Sequence, residues 1–92
     1  MSGLVRKYNT HALKTLPQYF QDVYDTVKKF EVRKDDRGFA IGDCLILQEY
    51  IISLGYSGRS LRMRVAYILR DFPALDSDYV VLGIEPWTDA AS

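Results

Sequence analysis

A chain of 92 residues, 48% of them hydrophobic and 26% charged, has the composition of one ordinary globular domain. Folding at this length buries roughly two thirds of the surface of the unfolded chain, enough for one simple core and too little for a large two-layer enzyme. Twelve basic and twelve acidic residues cancel, no stretch approaches the roughly 18 apolar residues of a membrane span, and residues 1–7 lack the apolar run of a secretory signal. A cytoplasmic domain with no membrane partner is the expectation.

The neutral sum hides a gradient. Residues 1–34 hold seven basic and three acidic groups, residues 35–70 five and four, and residues 71–92 five acidic groups and no basic one. A positive face built from the first part attracts phosphate unless the acidic C-terminal part folds back over it. With a single cysteine, Cys44, and a single histidine, His11, neither an internal disulfide nor a zinc site of sulfur and nitrogen ligands can be assembled. No structural metal and no cofactor are expected. Cys44 lies in an apolar run and reads as a small core residue.

In chain order, residues 1–10 read as a flexible N-terminus and His11 to Thr15 as a short strand. Thr15 is a candidate helix cap and Pro17 suits a first turn. Phe20, Val23, Tyr24 and Val27 recur at helical spacing, which predicts a helix buried on that stripe and lasting to about Lys28. From Phe30 to Arg33 the period becomes two, with Phe30 and Val32 on one face and Lys29, Glu31 and Arg33 on the other. Lys34 to Gly38 is a polar loop, and Cys44 to Tyr50 is a central strand, apolar on both faces. A glycine-containing loop is expected over Gly55 to Arg59. The next strand places Leu61, Met63, Val65, Tyr67 and Leu69 on one face, with Arg62 and Arg64 pointing out. Tyr79 to Ile84 is the last strand, and residues 86–92 read as a tail. One main N-terminal helix and about five strands define an α+β domain over residues 11–85, a small and mostly antiparallel β-barrel.

The segments His11 to Phe20, Lys28 to Arg37, Gly42-Asp43, Gly55 to Arg59 and Tyr79 to Ile84, in this order and spacing, resemble a bacterial and phage family of uncharacterised domains related to ASCH domains of the PUA-like superfamily. Lys28-x-x-Glu31-x-Arg33 followed by Gly42-Asp43 carries most of the resemblance. It implies a PUA-like, ASCH-type barrel with a basic cleft beside the N-terminal helix, RNA or a modified nucleoside as ligand, and Lys28 facing the cleft. Some ASCH relatives pair that lysine with a threonine and a glutamate to hydrolyse the amide of acetylated cytidine. Here Glu31 stands where the threonine is found, three residues after the lysine, and Thr26 stands where a glycine is usual, two residues before it.

The residues support a binding reading on their own chemistry. A lysine meets phosphate as a point charge, an arginine fork holds phosphate or a base edge, and a glutamate accepts from an exocyclic amine or orients the lysine. Lys14, Lys28, Lys29, Glu31, Arg33 and Arg37 supply all three kinds, and Tyr56 with Arg59 offers a stacking ring and a clamp. The competing reading of the alternating charges is a solvated edge strand protected against aggregation. Candidates for catalysis are Lys28, Glu31 and Glu49, although Glu49 at a strand end is equally served by exposure or a structural ion pair. His11 reads as a hydrogen-bonded strand residue. The expected function is RNA or nucleotide binding by a monomer or weak homodimer. A hydrolase acting on a modified nucleoside or RNA through Lys28 and Glu31 is the alternative, and a protein-interaction adaptor is the third.

Overall fold

The computed structural model describes residues 8–88. The order is β1 (Thr10–Thr15), α1 (Pro17–Tyr24), β2 (Phe30–Lys34), β3 (Cys44–Ile51), β4 (Gly55–Leu69) and β5 (Tyr79–Pro86). All five strands join one sheet in the order β1-β3-β4-β5-β2, curled into a half-barrel with β1 and β2 as its free edges. Three of the four pairings are antiparallel, but β1 and β3 run parallel. The sheet is therefore mixed. After β1 the chain crosses to the opposite edge through α1 and β2, and a connection that long lets β3 enter beside β1 in the same direction.

Inward residues alternate along each strand: Leu13 on β1, Leu45 and Leu47 on β3, Met63 and Val65 on β4, and Val80, Leu82 and Ile84 on β5. α1 packs on β3 and adds Phe20 and Val23 to this core. At one margin the core is closed by His11, whose ring meets Phe39 edge to face at 4.8 Å. Its Nε2 lies 2.8 Å from Asp43 Oδ2, and Asp43 also accepts the backbone N–H groups of Asn9 and Ala40, each at 3.0 Å. His11 is thus the hydrogen-bonded strand residue expected.

Three departures from the sequence pattern have local causes. α1 stops at Tyr24, a turn short of the expectation, leaving Tyr24 and Val27 exposed. The N–H of Thr26 bonds the Val23 carbonyl and the N–H of Val27 the Asp22 carbonyl, the paired bonds of a Schellman motif, with Thr26 at the left-handed position (φ 60). Thr15 is not the cap: Leu16 holds that position without a side-chain bond, and the Thr15 hydroxyl is buried, donating to the Leu13 carbonyl. On β4, Tyr67 points outward, 60% exposed, because the register with β5 shifts between Val65 and Tyr67. Gly83 lies opposite, where a Cβ would come 3.2 Å from Tyr67 Cβ.

A β-branched residue at positive φ is strained, and glycine is the usual resident of this motif. Thr26→Gly is therefore expected to raise unfolding stability by about 1 kcal/mol, read as a higher urea midpoint with unchanged slope. An unchanged or lower midpoint would show that the motif tolerates threonine without strain.

Residues 1–7 and 89–92, which include most of the expected flexible N-terminus and tail, lie outside the described residues. Within them Asn9 already bonds Asp43, and the N–H of Trp87 donates to the Arg62 carbonyl. No helix among the described residues is long and apolar enough to cross a membrane.

Candidate functional site

The two free sheet edges face each other across a cleft of about 460 Å³, bordered by Lys14, Thr15 and Leu16 at the end of β1, by Tyr19 on α1, and by Lys28 and Phe30 to Arg33 on β2. Local structure delivers its chemistry. The Schellman turn after α1 reverses the chain and brings Lys28 to the cleft, where the backbone N–H of Lys28 is itself fixed on the Asp22 carbonyl. β2 then presents its charged face inward: Glu31 is buried while Phe30 and Val32 are about half exposed. A solvated edge strand would do the reverse.

Glu31, its side chain 4% exposed, is the hub. Lys28 Nζ donates to Glu31 Oε2 at 2.8 Å and to the Phe30 carbonyl at 2.6 Å. Arg33 donates to Glu31 Oε1 through Nε at 3.2 Å and Nη2 at 3.0 Å, and Nη2 also reaches Thr15 Oγ1 across the gap at 3.1 Å. The two edges are joined here by side chains rather than by a ladder. A single carboxylate between two cations leaves a local charge of +1, and it holds two flexible side chains in one geometry. One N–H of Lys28 and the two of Arg33 Nη1 have no protein partner among the described residues. The Lys28 ammonium lies 4.8 Å from the Phe30 ring centre and 5.4 Å from that of Tyr19, so two aromatic rings flank the charge.

Of the expected site residues, Lys14, Lys28, Glu31 and Arg33 come together here. Lys29 does not: it borders a separate cavity of about 510 Å³, floored by Val23, Met63 and Ile84, in which Lys28 forms the shared wall. Arg37 donates to the Ala12 carbonyl at 3.0 Å and is not part of the cleft lining. The expected glycine loop over Gly55 to Arg59 is strand, the start of β4, and the turn falls at Ile52 to Leu54. Arg59 is committed to the fold. It donates to Glu49 at 3.1 Å and to Gln21 at 2.9 Å, and its guanidinium lies 4.7 Å from the Phe20 ring centre. Glu49 also accepts from Ser57 Oγ at 2.7 Å. The hydrogen bond from Arg59, then that from Ser57, holds the Glu49 carboxyl below its ordinary range against the opposing push of burial. Glu49 is thus a structural ion pair outside the cleft. No acidic residue between 71 and 88 lines the cleft either.

Sequence reading misses five residues of the cleft lining: Thr15, Leu16, Tyr19, Phe30 and Val32. Thr15 reads as a helix cap, Leu16 and Val32 read as ordinary apolar residues, and an aromatic beside a core stripe, such as Tyr19 or Phe30, carries no mark of exposure. Phe30 has one usable signal, its place two residues after Lys28 and opposite in phase to Glu31.

Fold and site together define a small half-barrel domain with a cationic, aromatic-edged cleft between its sheet edges. Residues 10–84 match the family model described as a domain of unknown function, DUF3850, and the chain belongs to that family. It is also similar to a protein of Escherichia phage P2, the uncharacterized 12.9 kDa protein in the GpA 3′ region, at 35% identity over 72 residues. The match covers 78% of this chain and 64% of the phage protein's length.

Proposed function

We propose that this domain binds RNA or a nucleotide in the cleft between β1 and β2, in the cytoplasm. The observation that carries the proposal is the Lys28–Glu31–Arg33 cluster: two cations oriented by one buried carboxylate, with unused N–H donors and two flanking rings. A phosphate takes the donors and a base takes a ring, the combination that single-stranded nucleic acid offers. The resemblance to ASCH domains points to the same ligand class.

Binding is favoured over hydrolysis because both Glu31 oxygens already accept from cations, which makes the carboxylate a poor general base. The Thr15 hydroxyl directs its proton to the Leu13 carbonyl. Binding is also favoured over peptide capture. Carbonyls a guest strand would use, Ala12 on β1 and Phe30 on β2, already accept from Arg37 and Lys28.

The test is a titration with short RNA and a panel of free nucleosides and nucleotides at about 50 and about 200 mM salt. Lys28→Gln, Arg33→Gln and the neutral triple variant that adds Glu31→Gln are compared with the wild type, with circular dichroism to confirm folding. Each single variant is expected to bind about tenfold more weakly at low salt and to lower the salt slope by about 1. Folded variants that bind like the wild type would remove the cleft from the function, and product analysis of the same mixtures would expose turnover.

A further inference from the structure

The line of cations and rings continues beyond the cleft. Lys14, part of its lining, places Nζ 4.5 Å from the centre of the Tyr50 ring. Tyr50 in turn meets Tyr56 edge to face at 5.1 Å, as its register partner across the β3/β4 hairpin. Consecutive strand residues serve opposite sides: Glu49 is buried on Arg59, while Tyr50 is half-buried and Tyr56 is 55% exposed. A cross-strand aromatic pair steadies a hairpin. That role explains the contact between the rings, but not a lysine held over one of them or the open flank of the other.

Resting on the cleft being a nucleic-acid site, we propose that the ligand is a single-stranded polynucleotide several nucleotides long, with Lys14, Tyr50 and Tyr56 as a second contact outside the cleft. Phe30, Lys28 and Tyr19 in the cleft, and Lys14, Tyr50 and Tyr56 beside it, form two groups of positive charge and stacking surface, the pair of features that the phosphates and bases of a single strand require. A free nucleotide fills the cleft alone and leaves the tyrosine platform unused. A duplex hides the base faces that the rings would stack on.

The experiment compares an RNA of about eight nucleotides, DNA of the same sequence and uridine 5′-monophosphate on wild type, Tyr56→Ser and Tyr56→Phe by isothermal calorimetry. An oligomer is expected to bind at least about tenfold more tightly than the mononucleotide; Tyr56→Ser should cost the oligomer about tenfold, the size of one lost stack, and leave the mononucleotide unchanged. Tyr56→Phe, which keeps the ring, should bind like the wild type. Whichever polymer meets these conditions is the ligand class. If oligomer and mononucleotide bind alike and Tyr56→Ser changes neither, the polymer proposal is overturned while the cleft reading stands. If no probe binds the wild type, both fall.

Discussion

Replacing Glu31 by alanine is expected to lower unfolding stability by about 3 kcal/mol, more than removing either of its cations. Alanine leaves Lys28 and Arg33 as like charges in one partly buried place, their side chains 14% and 21% exposed, without the carboxylate that joins them. The cost belongs at the lower end for a broken buried ion pair, because both cations retain some access to water. The neutral triple variant should recover much of the loss, since it leaves no unpaired charge. Urea unfolding of the three proteins decides the matter. A loss below about 1 kcal/mol in Glu31→Ala would mean that the cations relax into solvent and that Glu31 is not their anchor.

Asp43→Ala should be comparably damaging, about 3 kcal/mol, at the opposite margin of the core. The carboxylate accepts from His11 and from two backbone N–H groups, those of Asn9 and Ala40, and alanine leaves these donors without a partner. Its pH signature separates it from the loss of Glu31. Burial pushes the Asp43 carboxyl up, but the hydrogen bond from His11, those from Asn9 and Ala40, and the charge of His11 outweigh it and hold the group below its ordinary 3.8. A carboxyl lowered in the folded state contributes stability that is present in full above its unfolded value and is lost as pH falls through the folded one. Wild-type stability should therefore drop below about pH 4, and Asp43→Ala should drop less steeply over that window. Equal slopes in the two proteins would show that the Asp43 contacts do not respond to protonation.

Much of the fold is written in simple periodicity. Met63 and Val65 alternate as a half-buried strand must and are buried where the pattern puts them, and Leu45 and Leu47 are buried in the strand read as central. The errors fall where one residue changes the phase. Thr26 ends α1 through a left-handed turn that glycine would have announced, and the bulge before Tyr67 turns an expected core ring into solvent. Gly55 and Gly58 suggest a loop around Tyr56 and Arg59, yet both glycines sit within β4.

By itself the sequence determined the order of the elements, most of the apolar faces and the cluster of opposite charges between Lys28 and Arg33, all of which depend on neighbours within a few positions. Only the tertiary structure decided that this charged face turns inward. Phe30 and Val32 look like the buried side of β2 until β2 is seen at a free edge opposite β1, where Thr15 meets Arg33. The same holds for Glu49, Arg59 and Gln21, joined into one structural network from three separate elements. The physical reason is common to both cases: burial of a charge depends on which partners arrive from distant parts of the chain, and strand periodicity carries no information about them.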